Sequence, residues 1–396
     1  MIEFNMQLPS DVVFILDRMK ESGYTAHVVG GSVRDSLLRR PLGDFDITTS
    51  ATPEETKAVF RDYKTVDTGI KHGTVTLVLN GVPYEITTYR VDGDYKDNRH
   101  PESVTFTDRL EDDLARRDFT VNAMAYNPHQ GLSDPFDGRG DATRRLIRAV
   151  GDPKVRFDED ALRILRALRF ASVLGFAIED ETAIAARELS DRLPSISKER
   201  IFTELKKLVM GVDATDILSE YSDVLECVLC GLRIQTLPDK EIFARADIYS
   251  RFASLFLLNS DDPPEFAERV FTDLKTDKFT RIHTTSVLSA YDSIAFDSRR
   301  SVLTALAQYG KDVTEGVLAL GILTGRFTDR ERAVFDDALT SGVPYKISGL
   351  ALRGGDLLAT GIKGEQVGDA LSSLLYAVIN GEVENEKDAL INYLRK

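Results

Sequence analysis

The chain predicts a multidomain protein of the α/β plus all-α class, with an N-terminal head on a mixed β-sheet followed by helical modules. Three observations carry this. At 396 residues the chain exceeds what one core usually serves, so two to four modules are expected. Residues 1–145 alternate short β-branched runs with helical patterns, and from about Leu146 apolar residues recur at helical spacing.

In the head, Ala26 to Val29, Phe45 to Thr48, Thr74 to Leu79 and Tyr84 to Tyr89 read as strands. Asn80-Gly81 joins the last two as a hairpin turn. Leu162, Leu165, Leu168 and Phe170, then Ile201, Leu205 and Leu208, mark helices of a neck over residues 146–210. A body over 211–330 is helical in pattern and carries no legible motif. The tail, 331–396, opens near Thr328 and holds an amphipathic helix through Val367, Leu371, Leu374, Leu375 and Val378, started by the Gly361 to Gly364 turn.

A hydrophobic fraction of 42% is ordinary for a globular chain. There is no apolar run of about 18 residues and no basic leader with a cleavage site, so no membrane partner and a cytoplasmic location are expected. Cys227 and Cys230 form one C-x-x-C with no second ligand pair, which predicts two buried thiols on a helix rather than a zinc or redox site. A net charge of −14 argues against indiscriminate coating of nucleic acid. Yet Arg144, Arg145, Arg148, Lys154, Arg156, Arg163, Arg166, Arg169, Arg187, Arg192, Lys198, Arg200 and Lys206 crowd one stretch. Taken alone, such a stretch reads as a solvated, ion-paired helix face.

The sharpest chemical signal is HVVGGSVRDSLLRRPLGDFDITTS. A strand ends in Gly30-Gly31, Ser32 can cap, and a short helix follows, so its free N–H groups can face an anion such as a triphosphate. Arg34 in that first turn opposes the helix dipole and suits a bound anion. Asp44 and Asp46, two apart on a strand, share a face and repel each other unless a cation sits between them. Their hard oxygens suit Mg²⁺, which takes substrate phosphates as further ligands. A lone D-x-D is usually a solvated strand end. Its position one helix after the Gly-Gly turn points instead to metal-dependent phosphoryl or nucleotidyl transfer.

GGSVRD followed by DFDITTS resembles the signature of the polymerase β-like nucleotidyltransferases, in the class II branch of tRNA CCA-adding enzymes and bacterial poly(A) polymerases. The resemblance implies a nucleotidyltransferase head in which Asp44 and Asp46 hold two Mg²⁺ ions, with Glu85 in YEITTYR as candidate third carboxylate. It implies CTP and ATP as substrates and, as partner, tRNA lacking all or part of its 3′ CCA. DLARRDFTVNAMAY is similar to the family's ribose-reading motif, with Arg116, Arg117, Asp118 and Asn122. DPFDGRGDATRRLIRAVGDP, with Asp134, Gly138 and Asp141, resembles the block that joins head to neck. The polar run YRVDGDYKDNRHPESVTFTD reads as a mobile loop, which in this family serves addition of the terminal A.

In FDEDALRILRALRF, Asp160 and Arg163 stand three apart in a helical pattern. Cytosine and adenine both present an amine donor beside a ring-nitrogen acceptor, so one carboxylate and one guanidinium accept C and A and mismatch U and G. An ordinary surface ion pair is the plainer reading of these two residues. By resemblance they form the protein template, with Glu159 holding the helix and Arg117 and Arg166 assisting. SKERIFTELKKL, with Glu199, Arg200 and Glu204, resembles a supporting block. The tail from about Lys346 follows the family's tRNA-gripping pattern more loosely. Only His283 lies beyond His129, so the His-Asp phosphohydrolase of some relatives is not expected.

The function this implies is untemplated addition of C, C and A to tRNA, with release of pyrophosphate. TGIKHGTVTLV resembles the CCA-type sequence at the place where poly(A) polymerases carry a basic stretch. A poly(A) polymerase, an enzyme adding only CC or only A, and a non-catalytic tRNA-binding protein remain the alternatives.

Overall fold

The structure, a computed structural model, describes residues 4–93 and 104–395. It divides into two compact units, Met1–Gly231 and Leu232–Lys396. The division falls where Cys230 and Gly231 both turn left-handed (φ 52° and 86°). It does not coincide with the expected borders near 210 and 330.

Unit one starts with α1 (Ser10–Glu21), β1 (Ala26–Val29), α2 (Gly31–Leu37), β2 (Asp46–Thr49), α3 (Pro53–Val59) and β3 (Lys64–Gly69). Next come β4 (Thr74–Leu79), β5 (Val82–Thr88), β6 (Arg90–Asp92), β7 (Val104–Phe106), α4 (Leu110–Ala115), β8 (Ala125–Asn127) and β9 (Gly131–Ser133). Seven strands form one sheet in the order β3-β4-β5-β2-β1-β8-β9, and it is mixed because β2 and β5 run parallel. The Asn80-Gly81 hairpin forms with both residues at positive φ (51° and 83°), as a two-residue turn requires.

One sheet face carries the main core. Val12, Ile15, Leu16 and Met19 are spaced as the inner stripe of α1, and they pack with Phe60 against Val28, Ile47, Leu77 and Ile86. The opposite face is covered near β1 by a smaller cluster of Val29, Leu114, Ala123, Ala125 and Val150. Asp46 pairs with Val29 across β1 and β2 and so emerges on that second face. The polar run after Tyr89 has paired stems, with β6 antiparallel to β7. The stretch expected to be a mobile loop lies, from 94 to 103, outside the described residues.

The helical part of unit one holds α5 (Gly138–Arg144), α6 (Pro153–Glu159), α7 (Leu162–Leu174), α8 (Asp180–Glu188), α9 (Lys198–Val209), α10 (Ala214–Glu220) and α11 (Ser222–Glu226). Two short strands, β10 (Leu146–Ile147) and β11 (Ala177–Ile178), pair in parallel inside this region that periodicity reads as purely helical. Leu162, Leu165 and Leu168 are buried, as their spacing predicts. The cysteines correct an expectation. Both follow the end of α11 in turns and are half-buried, because the helix stops at Glu226 and the chain reverses.

Unit two is helical throughout: α12 (Lys240–Arg245), α13 (Ile248–Asn259), α14 (Pro263–Asp273), α15 (Lys278–Ala290), α16 (Arg299–Tyr309), α17 (Lys311–Leu323), α18 (Asp329–Thr340), α19 (Gly354–Ala359), α20 (Gly364–Ile379) and α21 (Lys387–Leu394). Edge-on phenylalanines Phe252, Phe256 and Phe271 knit α13 to α14. Thr328 and Glu331 close a capping box that opens α18, and Leu371, Leu374, Leu375 and Val378 form the buried stripe of α20.

Candidate active site

β1 ends in a tight turn. Gly30 sits at φ 74°, and a Cβ there would stand 3.1 Å from the Arg117 guanidinium, so only glycine lets the turn and that cation meet. Gly31 begins α2. Ser32 does not cap the helix: it lies within α2, and its hydroxyl donates back to the Val29 carbonyl at 3.3 Å. Arg34 also departs from the expectation of a cation waiting for an anion. Its guanidinium is buried and forks onto Asp35 at 2.9 and 3.0 Å, with a third bond to Asn122. With only seven residues, α2 has a weak dipole, so cationic side chains carry most of any attraction for phosphate here.

Asp44 lies in the irregular segment before β2, and Asp46 is the first residue of the strand, so the two are not strand neighbours on one face as the spacing predicted. They still repel. Partial desolvation raises the Asp46 carboxyl above its ordinary value, Arg117 pulls it down, and Asp44 pushes it up again. Both residues are exposed and accessible. The β2–β5 ladder pairs Ile47 with Ile86, which places Asp46 and Glu85 side by side on adjacent strands. Glu85 is exposed, on the face opposite buried Tyr84 and Ile86. Among the described residues no three or more His, Cys, Asp or Glu side chains converge as a ready metal cage. Two hard carboxylates that repel fit an ion such as Mg²⁺, which takes its other ligands from water and phosphate.

The DLARRDF block folds around a residue the sequence reading missed. Asp113 is fully buried and accepts from Arg116 at 2.8 and 3.0 Å, from Arg117 at 3.3 Å and from the Thr48 hydroxyl at 3.2 Å. Its signal was the i,i+3 and i,i+4 spacing to the two arginines, hidden in the run Glu111-Asp112-Asp113. Burial raises its carboxyl, but the two guanidiniums dominate and hold it below the usual range. Asp118 is likewise pushed up by burial and pulled far down by Arg166, at 2.8 Å from Nε, and by the Asn122 amide at 3.1 Å. Asp35, Arg34, Asn122, Asp118 and Arg166 thus form one continuous chain of hydrogen bonds. Arg34, Arg166 and Arg169 all face the Phe170 ring, at 5.1, 5.4 and 3.8 Å from its centroid.

The FDEDALRILRALRF block also departs from expectation. Asp160 and Arg163 do not share a helix, because α6 ends at Glu159 and α7 begins at Leu162. Asp160 is extended between them (φ −144°), accepts from the Leu162 amide at 3.0 Å and receives Arg200 at 2.9 Å. Arg163 is buried and bonds Glu159 at 2.6 Å and the carbonyls of Arg156 and Arg116 at 3.1 Å. Glu204, also buried, meets Arg169 at 2.8 Å. Glu199 stands exposed in the first turn of α9, its carbonyl accepting from the Thr203 hydroxyl. Asp134 caps α5 through the amides of Gly138 and Arg139, and Asp141 is fully buried beneath Thr120, Arg144 and Arg148.

Three family models match: the poly A polymerase head domain over residues 26–148, a probable RNA and SrmB-binding site of polymerase A over 175–221, and a putative domain 2 of tRNA nucleotidyltransferase over 250–394. A CCA-adding enzyme of Lactobacillus delbrueckii subsp. bulgaricus is 37% identical over 96% of both chains, and one of Geobacillus stearothermophilus is 38% identical over 96% of this chain and 95% of that one. The chain belongs to the family of CCA-adding enzymes. Among solved structures, a Bacillus stearothermophilus CCA-adding enzyme in complex with CTP matches at a TM-score of 0.80 and 34% identity, over 98% of each chain. The fold agrees with this family, head first and helices after. No helix among the described residues is long and apolar enough to cross a membrane.

Proposed function

We propose that this CCA-adding enzyme extends the 3′ end of tRNA by C, C and A, using CTP and ATP and releasing pyrophosphate. The observation that carries this reading is the meeting of opposite charges at one strand end. Arg117 lies against the Gly30 turn and acts electrostatically on Asp46, which Asp44 in turn repels.

Asp44 and Asp46 are the residues that would hold Mg²⁺, two ions in our reading, with Glu85 beside them on β5. The ions would lower the pKa of the 3′ hydroxyl and offset charge on the α-phosphate and leaving pyrophosphate. The Gly30-Gly31 backbone and Ser32 admit the triphosphate closely, and Arg34, Arg116 and Arg117 supply positive charge beside it. The Nε of Arg117 is buried without a hydrogen-bond partner among the described residues, which suits a group reserved for a ligand. Asp118 and Asn122 hold the ribose side of the site.

Asp160 and Arg163 then select the base, the carboxylate accepting from the exocyclic amine and the guanidinium donating to the ring nitrogen. Glu159 and Arg200 fix these two, while Glu199 and Glu204 support from α9, Glu204 by holding Arg169. The four-part division into head, neck, body and tail belongs to this reading, with the tail gripping tRNA, and a cytoplasmic location accords with that substrate.

The test is to offer transcripts ending before CCA, or after CC, with each nucleoside triphosphate separately and together. Two C and one A, then arrest, is the expected outcome. Open-ended A addition would select a poly(A) polymerase, arrest after CC a partial enzyme, and tRNA binding without incorporation a non-catalytic protein.

A further inference from the structure

The C-terminal unit contains a pocket of about 430 Å³ between α13, α15, α17 and α18, lined by none of the residues assigned above to nucleotide transfer. Its size suits a small ligand. One wall is aromatic. The His283 ring stacks on Phe279 (centroids 5.3 Å apart, planes 6° apart) and meets Tyr249 edge-on at 5.2 Å. Phe279 is 55% exposed, so it forms a lip rather than core. The space is kept open by Gly316, where a Cβ would come within 2.6 Å of Val287 and 3.5 Å of His283.

The charged groups of the lining are mainly acidic. Asp247, Asp312 and Glu315 face the pocket, and Arg332, 3.8 Å from Glu315, offsets one of the three charges. Asp247 is already occupied in capping α13 through the amides of Tyr249 and Ser250, so it contributes field more than contacts. Thr284 is 1% exposed and lines the same pocket, and its hydroxyl has no hydrogen-bond partner among the described residues. Buried hydroxyls seldom stay unpaired in native structures, so this one marks a place for a ligand atom. A nucleotide or RNA phosphate would meet carboxylates here. A cation would meet aromatic faces, carboxylates and a free hydroxyl oxygen.

We propose that this pocket binds a small organic polyamine, with its alkyl stem along Tyr249, Phe279 and His283, its ammonium groups donating to Asp312 and Glu315, and Thr284 accepting one further N–H. The test is calorimetric titration of the full chain with spermidine at about 150 mM salt, where only short-range charge contacts survive screening. One saturable site is expected. Phe279→Ala and Asp312→Asn should each weaken it about tenfold, as loss of apolar stem burial or of a charge-assisted contact does. Asp329→Asn removes an exposed carboxylate on α18 outside the pocket and should change affinity by less than about twofold. Thermal melts of each variant confirm folding. Absence of a saturable site, or equal weakening by Asp329→Asn, overturns the proposal. Binding of Nα-acetyl-lysine amide in place of spermidine also overturns it, since the occupant would then be a lysine of a partner protein. No tRNA or nucleoside triphosphate is present, so this outcome is independent of the transfer reading.

Discussion

Asp46 shows how a residue suited to hold a cation burdens the fold that lacks one. Desolvation and Asp44 raise its carboxyl, with Arg117 compensating only in part. A carboxyl raised in the folded state favours folding below the ordinary carboxylate pKa near 3.8, and that contribution is lost as pH rises through the raised value. At neutral pH the metal-free chain therefore carries an unfavourable charge. Asp46→Asn should melt higher than the parent at pH 7 in chelator, and the gap should close toward pH 3, where both side chains are neutral. Millimolar Mg²⁺ should raise the parent's melting temperature and leave the variant's unmoved. Nucleotide incorporation should fall at least about a thousandfold, the order expected when ligation of a catalytic ion is lost. Equal melting temperatures at pH 7 in chelator would show that the Asp46 carboxylate does not burden the fold, and an unmoved parent in Mg²⁺ or retained incorporation would show that Asp46 does not hold the ion.

At the scale of elements, the break between α6 and α7 sets where Asp160 and Arg163, the proposed base-reading pair, stand. FDEDALRILRALRF reads as one helix because its apolar spacing continues across Asp160. Periodicity is blind to a carboxylate that finds a better partner in the Leu162 amide than in helical backbone. Asp160→Ala would remove that amide's partner as well as the proposed base contact, so Asp160→Asn separates them. Asn serves an N-terminal amide about as well as Asp, but its amide nitrogen no longer accepts from Arg200, so a stability loss of about 1–3 kcal/mol is expected. It also presents a donor where the carboxylate only accepts. Preference for CTP over UTP in single-addition assays should fall about tenfold or more, with a smaller loss in CTP turnover. Unchanged selectivity would remove Asp160 from base reading. What was legible in the sequence was local: the Gly30 turn, the Asn80-Gly81 hairpin, the stripes of α7, α9 and α20. The three-residue strands β8 and β9 are too short to alternate visibly. Asp113 was masked by acidic neighbours, and the pocket lining is scattered from Asp247 to Arg332, joined only by helix packing.

For the whole molecule, the question is how a chain of net charge −14 binds a polyanion. The dense basic stretch would offer bulk attraction if its cations were free, but the structure pairs most of them with carboxylates of the same chain. Arg144 and Arg148 hold Asp141, Lys154 holds Glu188, Arg156 and Arg163 share Glu159, Arg187 holds Asp223, Arg192 holds Asp158, and Arg166, Arg169 and Arg200 are paired as described. A cation already paired within the chain releases few counterions when a phosphate approaches, so tRNA binding should depend only modestly on salt. Affinity measured by filter binding between roughly 50 and 200 mM KCl should fall with a log–log slope of about −2 to −4, whereas some thirteen free cations would give roughly −9. A slope that steep would mean that the ion pairs open on binding and that the stretch is the main RNA surface. The shallow slope would instead assign recognition to shape and to a few unpaired cations. It would also explain how so acidic a chain can bind one RNA without collecting others.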